Sequence, residues 1–173
     1  MKGVLKQNFF ERPTLTVAKE LLGKYLVRKH SGKTIAAMIT EVEAYDGPKD
    51  RASHASRGLT PRTKIMFGPA GHWYVYFTYG MHWLVNIVTG KEGYPAAILI
   101  RGVEEINGPA RVAKLFHIDK KLNGKSADKK SGLWLEDRGI KIEGSRIKKS
   151  PRIGVSYAGP IWSKRPYRFS IKT

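Results

Sequence analysis

The 173-residue chain carries 32 Lys+Arg against 14 Asp+Glu, a formal net charge of +18 and a pI of about 10.2, and it contains no cysteine. Disulfides and thiolate metal sites are therefore excluded, and the five histidines show no zinc-like spacing. The charge is spread out: residues 117–173 hold 15 basic and 5 acidic residues, a net +10, and the first 116 hold the remaining +8. That distribution points to a broad basic face on a folded body, and so to a polyanionic partner, rather than to a disordered arm. The length suits one domain, residues 1–173. The N-terminus, MKGVLKQNFFERP, lacks the apolar core of a signal peptide, and no apolar run approaches a membrane span. An intracellular, soluble protein with no membrane partner is expected.

In chain order, Pro13 and Thr16 open a short helical pattern with Val17, Leu21 and Leu22 on one face and Gly23 as its stop. Residues 25–29 and 34–45 read as strands. Residues 46–72, rich in Gly, Pro, Ser and charge, read as a long loop of the kind that carries function. A meander follows over 73–79, 82–88 and 96–103, with a Tyr79-Gly80 turn between its first two strands. Asn107-Gly108-Pro109 opens a helix to about His117 that buries Val112, Leu115 and Phe116. Residues 118–132 are polar and lysine-rich, the composition of a mobile surface loop. The last forty residues suggest short strands over 141–143, 153–157 and 168–171. Helices and antiparallel strands in separate runs predict an α+β fold.

Two stretches hold residues suited to chemistry. In residues 39–45, strand alternation puts Ile39, Glu41, Glu43 and Tyr45 on one face and Thr40, Val42 and Ala44 on the other. The acids read either as a solvated edge or as a reactive carboxylate. Arg101, after the apolar run 96–100, is either a strand end reaching water or a buried partner that keeps one glutamate ionised by lowering its pKa. An ionised glutamate beside an aromatic pocket could hold and deprotonate a water molecule. In residues 73–79, Trp73, Val75 and Phe77 read as core, with Tyr74, Tyr76 and Thr78 on the opposite face. Tyr79 sits at the turn, where a ring has little to pack against and can be driven between stacked bases. Asn86, between Val85 and Ile87, reads either as a satisfied structural amide or as a discriminating pocket wall.

These motifs resemble the alkyladenine (3-methyladenine or methylpurine) DNA glycosylases. The likeness runs from Phe9-Phe10-Glu11-Arg12-Pro13 to Lys164-Arg165-Pro166-Tyr167-Arg168-Phe169. It is strongest at residues 41–48 (EVEAYDGP), His54, Thr60-Pro61-Arg62, Met66-Phe67, residues 74–81 (YVYFTYGM), Asn86, residues 99–101, Asn107-Gly108-Pro109 and residues 152–155 (RIGV). The resemblance implies a single compact domain around a curved, mainly antiparallel β-sheet with flanking helices, acting as a monomer without metal or cofactor. It implies that Glu43, not Glu41, is the water-activating acid, that Arg101 is its partner, and that a main-chain carbonyl of Ile153 helps bind the water. Tyr45, His54, Tyr76 and Asn86 fall on the base pocket, and Tyr79 on the ring that fills the gap left by a flipped nucleotide. Arg62 and Met81 are candidate DNA contacts.

The implied partner is duplex DNA containing damaged purines, alkylated or deaminated, in the nucleoid and cytoplasm of a prokaryote or the nucleus of a eukaryote. No lysine lies in the carboxylate or pocket motifs, which implies a monofunctional enzyme that uses water and forms no Schiff base. No general acid is evident for neutral leaving bases. Two rival readings stand beside this one. A non-catalytic, basic RNA- or DNA-binding protein equally explains the charge and the exposed rings, but not the acid–aromatic strand. A carbohydrate hydrolase using Glu41 and Glu43 meets a geometric objection, because same-face neighbours on one strand cannot flank a scissile bond from opposite sides.

Overall fold

The computed structural model describes residues 2–173. Its spine is β3 (Lys33–Asp46), which exchanges neighbours along its length. Up to Met38 one edge pairs with β2 (Tyr25–His30), which continues to β8 (Leu133–Asp137) and β1 (Gly3–Val4). Further on, that edge passes to β10 (Arg168–Ile171), backed by β9 (Ile147–Ser150). The other edge pairs with β6 (Ala96–Val103), then β5 (His82–Val88) and β4 (Trp73–Thr78), while the short β7 (Ile106–Asn107) also joins β6. Every pairing is antiparallel. With four helices among the described residues beside this curved sheet, the architecture is the expected α+β.

The helices are α1 (Gln7–Phe10), α2 (Thr14–Leu21), α3 (Pro109–Leu115) and α4 (Gly159–Trp162). Pro13 caps α2, its carbonyl accepting from the N–H groups of Thr16 and Val17, and Gly23 at φ +87° turns the chain into β2. Helical spacing then lays Val17, Ala18 and Leu21 of α2, with Val112 and Ala113 of α3, onto Val42, Ala44, Val75, Ile87, Ile98 and Ile100 of the sheet. Phe116 is buried as expected, but Leu115 is only half-buried at the core's margin. Trp73 is fully buried, and its indole N–H donates to the Leu133 carbonyl at 3.0 Å.

The opposite face of the sheet carries Tyr74, Val88 and Ala97, covered by Ala55 and Met66 from the 46–72 loop. The loop is shaped by two 3-10 turns, His54–Arg57 and Lys64–Phe67. The sheet thus separates an apolar core from a loop-covered face where the functional residues lie.

Three expectations need correction. Residues 118–132 are a pinned segment, not a mobile loop. Ile118, Leu122 and Ala127 enter the core, and main-chain hydrogen bonds tie Gly124 and Lys125 to Trp73 and Ala127 to Gly71. The lysines that gave the segment its loop-like composition point outward. Residues 141–143 and 153–157 are not strands; the pairing falls instead on β8 and β9, because Leu133, Trp134 and Leu135 supply the apolar edge. Phe77 is 44% exposed rather than core, since the β4–β5 hairpin runs past the edge of the packed layer, and the ring rests on Trp83 at 4.8 Å between centroids.

Candidate active site

The carboxylates owe their placement to an irregularity between β3 and β6. Ile39 lies opposite Val103, Glu41 opposite Gly102 and Val42 opposite Ile100, so two register shifts of opposite sense cancel within three residues. Strict alternation therefore fails at Ile39. It is fully buried in the core with Val42 and Ala44, while Glu41 and Glu43 face the other side. Gly102 permits the close approach: a Cβ there would stand 3.2 Å from the Cβ of Glu41 and 3.2 Å from the hydroxyl of Thr40.

Glu43 is fully buried at the floor of a cleft of about 1390 Å³. Its Oε1 accepts from the Tyr45 hydroxyl at 3.0 Å, and its Oε2 accepts from the main-chain N–H of Ile153 at 2.7 Å. Arg101 also serves Glu41. Its Nε donates to Glu41 at 2.8 Å, while Nη1 stands 3.7 Å from Glu43. Burial raises the pKa of Glu43 above the usual carboxylate range, outweighing Arg101, the Ile153 N–H, the Tyr45 hydroxyl and Arg152, which all favour ionisation. Arg101 does exert the expected lowering, but burial outweighs it. Burial, together with the neighbouring Glu43 charge, pushes the Tyr45 phenol well above its ordinary value.

The walls are rings and one amide. Tyr76 from β4 meets His54 at 4.7 Å between centroids in an edge-to-face contact, and His54 Nδ1 lies 3.0 Å from the Tyr74 hydroxyl. Burial, with Arg62 and Arg57 nearby, pulls the His54 pKa down to about 4, so the imidazole is neutral at physiological pH. Asn86 lies opposite Tyr74 in the ladder, is buried, and donates to the Tyr74 carbonyl at 3.2 Å. It is thus a satisfied structural amide and a cleft-lining residue at once.

At the lip, the Tyr79-Gly80 turn holds Tyr79 at φ +52° and Gly80 at φ +64°, leaving the Tyr79 ring 85% exposed. Arg62 lies 5.1 Å over the Tyr76 ring and lines the cleft. Met81 is exposed beyond the turn and is not among the cleft-lining residues, so it shares the lip but not the pocket. One lysine, Lys49, lines the cleft at an exposed position just beyond the 41–48 motif; the carboxylate and pocket motifs themselves hold none.

Behind the floor lies a buried ion pair that no sequence pattern marks. Arg152 donates to both carboxylate oxygens of Asp50, at 2.5 and 2.9 Å, and both side chains are wholly inaccessible. The partners lie 102 residues apart, and neither position follows from alternation or helical spacing. Arg152 opens the RIGV stretch, residues 152–155, but nothing local in the sequence names its partner.

The fold sets an acid-floored, ring-lined cleft on an α+β body. The family described as methylpurine-DNA glycosylase (MPG) matches residues 8–108 and 104–173. A relative from Methanocella arvoryzae, provisionally named a 3-methyladenine DNA glycosylase, is 42% identical over 192 residues, covering 98% of this chain and 92% of its own. Relatives of the same provisional name from Legionella pneumophila (strain Corby) and Anaeromyxobacter dehalogenans (strain 2CP-C) are 45% and 44% identical over 175 residues, covering 97% of this chain and 94% and 83% of theirs. The chain belongs to the methylpurine-DNA glycosylase family, and it is an enzyme of the 3-methyladenine DNA glycosylase type, an N-glycosyl hydrolase. Among the described residues, no helix is long and apolar enough to cross a membrane.

Proposed function

We propose that this enzyme flips an alkylated purine out of duplex DNA and hydrolyses its N-glycosidic bond with a water molecule directed by Glu43. The observation that carries the reading is the carboxylate itself, buried at the floor of a ring-lined cleft with Arg101 and the Ile153 N–H against it. Each carboxylate oxygen accepts one hydrogen bond and keeps further acceptor capacity for a water. A cationic alkylpurine adds positive charge to the cleft, which favours the ionised acid despite its burial. Tyr45 and Tyr76 offer electron-rich faces for such a base, and Asn86 would collide with the exocyclic 2-amino group of ordinary guanine. Tyr79 would enter the minor groove as the nucleotide rotates out, and the basic face would hold phosphates without sequence preference. Glu43 would also stabilise the cationic sugar as the bond breaks.

The test is mass analysis of bases freed from methylated duplex DNA. Glu43→Gln is expected to release none while still binding abasic-site DNA; release at the wild-type rate would move the chemistry elsewhere. Tyr79→Ala should weaken capture of the flipped nucleotide by roughly 1–3 kcal/mol, on the scale of base–aromatic stacking. Lys49 makes the water-based route testable too. Borohydride should trap no enzyme–DNA adduct, and an adduct lost in Lys49→Ala would replace hydrolysis by Schiff-base chemistry.

A further inference from the structure

The Ile153 N–H that meets Glu43 is not held by its own side chain, which is 52% exposed. It is held by its neighbour. The Arg152 guanidinium donates to the Ala44 carbonyl at 2.9 Å, to both oxygens of Asp50, and to the Trp162 carbonyl at 3.3 Å. Ala44 is the residue between Glu43 and Tyr45. Asp50 in turn accepts from the main-chain N–H groups of Asp46 at 3.0 Å and Ala52 at 3.1 Å. The guanidinium lies 4.9 Å from the Tyr45 ring and 5.1 Å from the Tyr167 ring, so its rotation is restrained as well. One buried cation therefore fixes both ends of the contact: the strand that carries the acid and the segment that carries its donor.

We propose that Asp50 and Arg152 are positioning residues for hydrolysis, their ion pair holding the Ile153 N–H on Oε2 of Glu43 and so setting the rotation of the carboxylate that aims the water. This rests on the reading of Glu43 as the water-directing acid. The pair acts through geometry and through charge. Glu43 faces Glu41 and Tyr45 on its own strand, Arg101 on β6, Tyr76 on β4 and Arg168 opposite on β10, with Arg152 next to Ile153 and Tyr157 on the cleft wall. Of these, Arg101, Arg152 and the Tyr45 hydroxyl, together with the Ile153 N–H, favour the carboxylate over the acid. Removing the pair deletes the Asp50 anion along with the Arg152 cation, but it is the cation and the Ile153 N–H that bear on Glu43, and losing both favours the protonated acid, so Glu43 keeps its proton to higher pH.

The experiment is single-turnover base release from methylated duplex DNA as a function of pH. It compares the wild type, Glu43→Gln, Arg152→Lys and the double variant Asp50→Asn/Arg152→Gln, whose amides can still face each other. The double variant is expected to bind abasic-site DNA within about twofold of the wild type, to release bases at least about tenfold more slowly, and to lose activity on acidification at higher pH than the wild type. Arg152→Lys keeps the cation, so its acid limb should stay with the wild type while its rate falls between the two. An unmoved acid limb in the double variant would overturn the proposal, as would a wild-type rate. Loss of soluble protein in both variants would overturn it too, because the pair would then serve the fold alone. Release by Glu43→Gln at the wild-type rate would instead remove the reading beneath it.

Discussion

Two arginines approach Glu43 from surroundings that differ in one decisive respect, access to water. Arg101 reaches it from β6 at 3.7 Å with its side chain 13% exposed, bonded to Glu41, which is 21% exposed and also within 3.8 Å of Arg168. Arg152 stands behind Ile153 with no exposure at all, on an equally buried Asp50. A pair that keeps some access to water can be rehydrated when one member is lost and can be retuned by whatever enters the cleft. A pair cut off from water cannot lose one member without stranding the other. The wet cation is therefore placed to respond to a ligand and the dry one to hold still.

The largest expected effect breaks the dry side. Arg152→Ala leaves Asp50 buried without its cation and should cost about 3–5 kcal/mol, read from urea unfolding. A cost near that of a surface pair would abolish the distinction. On the wet side, Arg101→Ala leaves Glu41 with some access to water and should cost less than Arg152→Ala in the same measurement. It should nevertheless raise the pKa of Glu43 further, since Arg101 favours the ionised form. If Glu43 acts as the proposed water-directing carboxylate, activity would then fail at a higher pH on acidification, with the fold intact.

The smallest effect is a drift of stability with pH. Glu43 titrates above its unfolded value, so the folded state holds its proton more tightly, and stability falls as pH rises through the folded pKa. Glu43→Gln should flatten that fall and raise Tm at neutral pH relative to the wild type. His54 acts in the other direction. Its folded pKa is about 4, so the stability it contributes is present above its unfolded value of about 6.5 and is lost as pH falls towards about 4. Thermal melts of His54→Gln across that window should show a shallower acid loss.

Local rules carried the reading far where neighbours in sequence are neighbours in space. Helical spacing found Val17, Leu21 and Leu22, and alternation separated Trp73 and Val75 from Tyr74 and Tyr76. Residues 43, 45, 54, 62, 76, 79, 86, 101 and 153, drawn from distant stretches, do line one cleft. The resemblance, not periodicity, had grouped them. Alternation misplaced Ile39 because a register shift leaves no mark in composition, and Phe77 because periodicity says which face a ring takes but not where the core ends. The 118–132 segment misled for a related reason: three anchors among many lysines are outweighed in any average over the stretch. Asp50 and Arg152 were unreadable as a pair, since a contact across 102 residues belongs to topology.

The paired irregularities at Glu41 carry a consequence for how the chain can vary. Because the two shifts cancel, an insertion or deletion of a single residue in 39–43 would leave one uncompensated and rotate every later side chain of β3 by half a turn. Glu43 would then swing into the oily layer and Val42 into the cleft. The adjoining 46–72 stretch, built of turns, can gain or lose length at its exposed tips without any such inversion. Length, more than the identity of any one side chain, is what those five positions cannot give up.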